Sequence, residues 1–250
     1  MKISYLTIDD SPSPEFLRHC NYLKDCQIPA VFFCIGKNLE KECDAAIQAL
    51  KMGFKIQNHS YSHPHFSSLS LKEACYEIAK ADEIITSLYQ SAGLNYNEKW
   101  FRFPYGDKGD GRFGKNFGIL SPPDLKKAKY IQDYLKRLGY VKPQFKNVNY
   151  AYLNTKRLKN DIDMLWTFDI MEWALIKQNM RGLETIEAVL KRVKSQTPKD
   201  YRRIYAKEKR WLGNPDSNEI ILLHDHAETG ANFKTIIDNL VSLNIKFESL

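Results

Sequence analysis

The sequence lacks several features that would place it in other classes of protein. No run of about 18 apolar residues occurs, so nothing in it predicts a membrane-spanning helix. The opening "MKISYLTIDD" leaves no room for a signal peptide, which predicts a cytoplasmic location if Met1 is the natural start. No linker rich in proline, glycine and serine divides the chain and no internal repeat is visible, so a single domain over 1–250 is expected.

Cysteine usage and charge argue against two further classes. The five cysteines include no CxxC pair, which favours reduced thiols over a disulfide framework. The formal net charge is +7, and the densest basic stretch covers 191–211. Because no nucleic-acid-binding motif accompanies it, we interpret this stretch as a solvated surface and expect no nucleic-acid partner. A membrane-bound, anionic sugar carrier stays open as a peripheral partner.

Short apolar runs alternate with helical periodicity along the chain. The predicted strands cover 3–8, 30–35, 54–57, 100–103, 164–168, 219–223 and 245–250. The predicted helices cover 14–26, 40–52, 70–91, 124–138, 183–195 and 230–243. This alternation indicates an α/β protein with a parallel sheet, for which a closed (β/α) barrel is the commonest form at this length. The irregular segment 106–162 is interpreted as an insertion over one rim.

Segments with ionisable or hydrogen-bonding groups follow five of the predicted strands. They are Asp9-Asp10, Asn58-His59, Pro104-Tyr105, Asp169 and His224-Asp225. The carboxyl ends of parallel strands meet at one rim, which is where barrel enzymes carry their active sites. A helix cap explains one such end but not five. The pattern therefore predicts an active site at this rim.

The adjacent carboxylates Asp9 and Asp10 need either solvent or a cation, because they repel each other. One alternative is a helix start, for which Asp10 would be a capping residue. His59 and His63 are four residues apart, a spacing that on a helical turn aims both imidazoles the same way. Two imidazoles and one carboxylate match a zinc site with an open position. The histidine pair alone is a weak signal, but with Asp10 at a neighbouring strand end it favours a divalent, zinc-like cofactor.

Five ordered segments resemble the motifs of the polysaccharide deacetylases, the family 4 carbohydrate esterases. The segments are "TIDDSP", "HSYSHP", "RFPY", "FDIMEW" and "ILLHD". They run from Thr7 to Asp225, nearly the whole chain. The resemblance implies a distorted (β/α)7–8 barrel, a zinc-type metal and hydrolytic removal of acetyl groups from sugars.

The resemblance also implies roles for individual residues. Asp10, His59 and His63 would hold the metal, and Asp9 would be the general base that takes a proton from the attacking water. His224 would be the general acid that protonates the departing amine.

Supporting roles follow from the same resemblance. Arg102 would pair with Asp9 and orient it, while Asp169 would hydrogen-bond His224 and raise its pKa. His65 and His226 fall at no motif position and are expected not to be ligands.

The same resemblance implies substrate contacts at three positions. The backbone N–H of Tyr105 would stabilise the oxyanion, and Trp173 and Leu222 would enclose the acetyl methyl group.

Three positions depart from the usual motifs. Ile8, Ser11 and Glu172 stand where the family usually has phenylalanine, glycine and aspartate. His19, outside the motifs, is predicted on a helix surface.

Our first hypothesis is a metal-dependent hydrolase that removes N-acetyl groups from an N-acetylated sugar or oligosaccharide. Two alternatives stay open at this point. The same fold could serve an amidohydrolase for a small, non-sugar linear amide, or a sugar-binding protein without catalytic activity. Retention of both an acid and a base candidate favours an enzyme, since a binding protein needs neither.

Overall fold

The N-terminal strand lies at the centre of a parallel sheet. The structure is a computed structural model that describes residues 2–110, 121–177, 182–196 and 211–250. Within these residues the strands are β1 (Ile3–Ser11), β2 (Ala30–Cys34), β3 (Lys55–Asn58), β4 (Phe168–Asp169), β5 (Glu219–His224) and β6 (Lys246–Phe247). The order is β3-β2-β1-β5-β4, with β6 paired to the start of β1, and every pairing is parallel. The expected α/β class with a parallel sheet is confirmed.

Single backbone hydrogen bonds carry the wall of the sheet beyond β3. Asn58 N–H donates to the carbonyl of Trp100, and Arg102 N–H donates back to the carbonyl of Asn58. Met164 N–H then donates to the carbonyl of Phe101, and the chain runs on into β4. Among the described residues the six regular strands do not close into a barrel, and these isolated hydrogen bonds continue from β3 towards β4 across the gap between the two edges of the sheet. The predicted strand at 100–103 is therefore only a bridge within the described residues, because Pro104 ends the pairing.

Strand register brings the predicted rim together. Asp9 of β1 lies opposite His224 of β5, and Cys34 of β2 lies opposite Asn58 of β3. Since all these strands are parallel, their carboxyl ends stand side by side. The polar residues that follow the strands consequently enter one space.

Helices cover the outside of the sheet. They are α1 (Phe16–Asp25), α2 (Gly36–Lys41), α3 (Cys43–Lys51), α4 (Leu71–Ser91), α5 (Pro122–Arg137), α6 (Lys156–Asn160), α7 (Ile186–Lys194) and α8 (Gly230–Val241). The single helix predicted over 40–52 is two helices broken at Glu42, whose φ and ψ of −115° and 36° are not helical. Ser70 and Glu73 form a reciprocal cap at the start of α4. No helix in the described ranges combines the length and the hydropathy that crossing a bilayer requires.

Aromatic and aliphatic side chains fill the space between the sheet and the helices. Phe32 of β2 is fully buried between Phe16 and Phe54, with both ring pairs edge to face. Burying one such side chain contributes about 1.5–3 kcal/mol. Gly36 begins α2 where a side chain would collide with Tyr61, since an added Cβ would lie 2.8 Å from that ring. The close approach of α2 therefore requires glycine.

The predicted insertion is joined to the body through α5. A second apolar cluster packs Ile131 and Leu135 of this helix against Phe66 and Phe103. Lys127, also on α5, donates to the carbonyl oxygens of three residues in the loop after β3 at 2.9–3.1 Å; these are Phe66, Ser67 and Leu69. Part of the predicted insertion, 111–120, lies outside the described residues, as do 197–210 of the predicted basic surface.

Candidate active site

The end of β1 directs two adjacent carboxylates into one cavity. In a regular strand, neighbouring side chains point to opposite faces. Here the register between β1 and β2 shifts after Ile8, and Asp10 adopts a left-handed backbone with φ of 66°. Both Asp9 and Asp10 consequently line a cavity of about 920 Å³. Ser11, which stands where the family usually has glycine, does not have a left-handed backbone; the left-handed residue is Asp10, one position earlier.

His59 and His63 meet through a loop rather than through a helical turn. Ser60 and His63 both have left-handed backbones, with φ of 68° and 60°, and the segment has no helical hydrogen bonding. The expectation of a helical turn is therefore wrong, although the two rings lie 4.9 Å apart. The loop is held by Ser60 N–H donating to the Asn58 side chain at 2.8 Å and by His63 N–H donating to Ser60 Oγ at 3.1 Å.

Three potential ligand atoms converge between these segments. One atom each from Asp10, His59 and His63 lies within 4.8 Å of the others. Asp10 Oδ1 is 2.9 Å from His63 Nε2 and 3.4 Å from His59 Nε2, yet it has no hydrogen bond of good geometry among the described residues. Such a set of close, unbonded polar atoms fits a bound cation better than a hydrogen-bonded cluster.

The protonation of His59 also fits a metal ligand. Its Nδ1 lies 2.7 Å from the backbone carbonyl of Arg102. Because a carbonyl only accepts, Nδ1 carries the proton, and in the neutral ring Nε2 offers its lone pair towards Asp10. Burial alone would raise the pKa of Asp10, but His226, His59 and His63 outweigh it and hold that pKa well below its usual range. The carboxylate is thus available as an anionic ligand.

Asp9 is held in place by a buried guanidinium group. Arg102 Nη1 donates to Asp9 Oδ1 at 2.6 Å and to Thr7 Oγ1 at 2.8 Å. The arginine is 1% exposed and stacks on the ring of Phe33 at 4.3 Å. Asp9 Oδ2 remains on the side of His59, 3.7 Å from its Nε2. One oxygen of Asp9 is therefore fixed, and the other faces the candidate metal position.

The carboxylate that bonds His224 is Glu172, which corrects the predicted hydrogen bond from Asp169. His224 Nδ1 lies 2.8 Å from Glu172 Oε1, and the same oxygen accepts the His224 backbone N–H at 2.7 Å. Asp169 instead accepts from Met171 N–H at 2.8 Å and from the indole of Trp173 at 3.3 Å. The left-handed backbone of Met171 turns the chain so that the longer Glu172 side chain reaches the imidazole.

The surroundings of His224 favour its protonated form. Burial lowers the pKa of this imidazole, but the charge and hydrogen bond of Glu172 outweigh burial and, with Asp10 and Asp169, raise the pKa to about 10. Asp169 thus raises the pKa of His224 through its charge, without a hydrogen bond to the imidazole. Because Nδ1 is engaged with Glu172, Nε2 is the ring nitrogen left to face the cavity.

The predicted substrate-contacting residues lie around the same cavity. Leu222 is buried in its wall, and Trp173 and Tyr105 line it as well. Tyr105 has a left-handed backbone with φ of 58°, is 46% exposed, and stacks on His65 with ring centroids 4.0 Å apart. Of the ten predicted site residues, all but Arg102 line the cavity, and Arg102 lies behind Asp9.

The structure gives buried or site contacts to two histidines, His19 and His226, that were not predicted as site residues. His19 is 3% exposed and lies 2.9 Å from Asp225, so its prediction as a helix-surface residue is wrong; the apolar face of α1 carries it against Phe233. His226 places Nε2 2.6 Å from Asp10 Oδ2. The only sequence signal for His226 was its position two residues after His224, at the end of the same strand.

Comparison with known proteins shows which family the first part of the chain resembles. Residues 1–115 match the polysaccharide deacetylase family model. The peptidoglycan-N-acetylglucosamine deacetylase of Bacillus cereus is 37% identical over 103 residues, which make up 41% of this chain and 36% of that protein. The predicted resemblance to the polysaccharide deacetylases is therefore confirmed over residues 1–115. The chain spans well under half the length of this relative.

The likeness of fold extends over the whole chain. A family 4 carbohydrate esterase from Streptomyces lividans, solved in complex with acetate, superposes with a TM-score of 0.57 at 19% identity, covering 99% of this chain and 92% of that one. A family 4 pseudoenzyme from Bacillus anthracis superposes with a TM-score of 0.56 at 19% identity, covering 98% of this chain and 63% of that one. Since both an esterase and a pseudoenzyme share the fold, activity must be argued from the site residues.

Proposed function

We propose that this protein is a metal-dependent hydrolase that removes N-acetyl groups from an N-acetylated glycan. The observation that carries the proposal is the convergence of Asp10, His59 and His63 beside Asp9, with His224 on the neighbouring strand. The name of the Bacillus cereus relative, which specifies N-acetylglucosamine in peptidoglycan, supports an N-acetylated sugar as substrate.

A divalent, zinc-like ion fits the ligand set of two imidazole nitrogens and one carboxylate oxygen. Asp10, His59 and His63 would hold it. When bound there, such an ion supplies Lewis-acid activation of the acyl carbonyl and of water. The tautomer of His59, fixed by the carbonyl of Arg102, is the one that such a ligand needs.

Asp9 and His224 would move the protons of the reaction. Asp9 accepts a proton from the attacking water through Oδ2, because Oδ1 is engaged with Arg102. His224 donates a proton from Nε2 to the departing amine, because Nδ1 is engaged with Glu172. The two residues are register partners on β1 and β5, so the base and the acid stand next to each other at the rim.

The remaining cavity residues would bind the acyl group and the sugar. Leu222 and Trp173 offer apolar surface for the acetyl methyl, and the backbone N–H of Tyr105 is the proposed oxyanion donor. The cavity volume of about 920 Å³ lies at the upper end of the range for small-molecule sites, which suits a saccharide better than a small linear amide.

The test combines acetate release with metal analysis of the whole protein. We expect about one tightly bound zinc ion per chain and release of acetate from at least one member of a panel of N-acetylated oligosaccharides, nucleotide sugars and lipid-linked sugars. The lipid-linked sugars in the panel would also test whether a membrane-bound sugar carrier is a partner. Cell fractionation would test the predicted cytoplasmic location.

The variant Asp9→Asn should keep the zinc and lose acetate release by a factor of about 10²–10⁴, since it removes the base but no ligand. The surface variant Asp133→Asn makes the same chemical change on α5 and should behave as wild type. Full activity after complete chelation, or unchanged turnover in Asp9→Asn, would refute the proposal.

A further inference from the structure

We propose that His226 is a positioning residue that orients the carboxylate of Asp10 for metal binding. This inference rests on the proposed metal site, but it concerns a histidine outside the five motifs. The observation behind it is the separation of the two Asp10 oxygens: Oδ2 lies 2.6 Å from His226 Nε2, whereas Oδ1 faces His59 and His63.

The backbone at the end of β5 fixes the position of His226. Asp225 N–H donates to the carbonyl of Asp9 at 2.9 Å, which continues the β1–β5 pairing by one residue. The buried Asp225 side chain accepts hydrogen bonds from Ser13 N–H and Ser13 Oγ, just before α1, at 2.8 and 2.6 Å. Because side chains alternate along an extended strand, His224 and His226 then face the cavity together.

The hydrogen bond between His226 and Asp10 has only one chemically sensible direction. A carboxylate accepts hydrogen bonds, so His226 Nε2 must carry the proton and donate it to Oδ2. The ring is held further by the imidazole of His224, with centroids 5.3 Å apart and planes inclined by 26°. The donor is therefore aimed from a ring with restricted freedom to rotate.

Occupation of Oδ2 has a direct consequence for ligation. A free carboxylate can rotate about its Cβ–Cγ bond and exchange its oxygens, or bind a cation with both. With Oδ2 engaged by His226, Asp10 offers Oδ1 alone, on the side where His59 Nε2 and His63 Nε2 converge. Groups that orient a metal ligand in this way typically change metal affinity or activity by about 10–100-fold.

The experiment measures zinc affinity by competition with a chromogenic chelator. His226→Ala and His226→Asn should weaken zinc binding by about 10–100-fold. His226→Gln should stay close to wild type, because its terminal amide N–H₂ can take the place of Nε2–H, whereas the shorter asparagine amide corresponds to Nδ1. His65→Ala removes another cavity histidine, which contacts Asp107 and not Asp10, and should leave zinc affinity unchanged.

The outcomes separate this inference from the proposed function. Zinc binding of equal strength in wild type and His226→Ala overturns the positioning role alone. Equal weakening in the alanine and glutamine variants also overturns it, since that result marks His226 as a direct ligand. Absence of zinc binding in the wild type overturns the proposed function and this inference together. The thermal unfolding temperature of each metal-free variant, expected near that of wild type, shows that an affinity change is not a loss of folding.

Discussion

The two sides of the cavity each contain a histidine whose Nδ1 has a hydrogen-bond partner, but the partners differ. His59 Nδ1 bonds a backbone carbonyl, whereas His224 Nδ1 bonds the carboxylate of Glu172. A carbonyl partner on Nδ1 fixes the proton there and adds no negative charge beside the ring, which suits a metal ligand that binds through Nε2. An anionic partner stabilises the imidazolium, which suits a proton donor. The comparison teaches that the atom behind each ring, rather than the ring itself, assigns the role.

The largest expected effect comes from removing one histidine from each side. His59→Ala should abolish both zinc binding and acetate release, because it removes a ligand. His224→Ala should retain zinc and lose about 10²–10⁴ in kcat/KM, because it removes only the acid. Metal content and acetate release, measured on the same samples, check both. Loss of zinc in His224→Ala would contradict the different roles proposed for His59 and His224.

A second prediction concerns the buried ion pair between Arg102 and Asp9. Arg102→Met should lower the free energy of unfolding by about 3–5 kcal/mol, because Asp9 is left as an uncompensated buried charge. Urea denaturation measures the change. Arg18→Met, at a largely exposed arginine of α1, should cost far less. A loss below about 1 kcal/mol, the range of exposed pairs, would contradict this account of Arg102.

The third prediction tests the anionic partner of His224. The pKa of His224 is raised to about 10, so the acid is protonated through neutral pH and its activity limb lies on the alkaline side. Glu172→Gln should move that limb to lower pH by about one unit or more, which corresponds to about 1.4 kcal/mol or more of lost interaction. The pH profile of kcat/KM measures the shift. Glu228→Gln, at another acid lining the cavity, should move it little.

The same pair makes stability depend on pH with a definite sign. Because the folded pKa of His224 lies above its ordinary value of 6.5, the pair stabilises the fold fully below pH 6.5. That contribution declines as the pH rises and is lost above about 10. Unfolding free energies of wild type and Glu172→Gln should therefore converge at alkaline pH. A constant difference between them would contradict the assignment.

The smallest effect is expected in the acyl pocket, which both sides share. Leu222→Ala should improve the relative use of N-propionyl over N-acetyl substrates by about tenfold, since one methylene in an apolar pocket is worth about 1–3 kcal/mol. Competition between the two acyl substrates measures the ratio. Leu125→Ala, at an exposed leucine of α5, should leave the ratio unchanged. No change in Leu222→Ala would remove Leu222 from the pocket.

Apolar runs and their polar ends were enough to predict the class of fold and the rim at which the candidate residues meet. β1, β2 and β5 form close to where the periodicity placed them, since each is a continuous buried run. The segment 164–168 was predicted as a strand, but β4 contains only Phe168–Asp169. Its other contacts are single bonds across the barrel wall, which local sequence does not encode.

The loops were harder to predict than the strands, for a physical reason. Five of the eight non-glycine residues with left-handed backbones in the described ranges lie beside the site; they are Asp10, Ser60, His63, Tyr105 and Met171. Non-glycine residues enter this region at a cost that only the surrounding structure can offset, so single-residue preferences do not reveal it. The partnership of Glu172 with His224 depends on one such residue, Met171, and therefore escaped prediction.

Lys127 of α5 connects the predicted insertion to the loop after β3. Lys127 donates to three carbonyl oxygens just beyond His63 and His65, and Asp107 anchors the same loop by accepting hydrogen bonds from Ser67. Deleting the predicted insertion, 106–162, would remove the contacts that both Lys127 and Asp107 make with this loop. We therefore expect the segment that carries Lys127 and Asp107 to support the loop in which the proposed ligand His63 lies, so that shortening the segment weakens zinc binding before it affects folding.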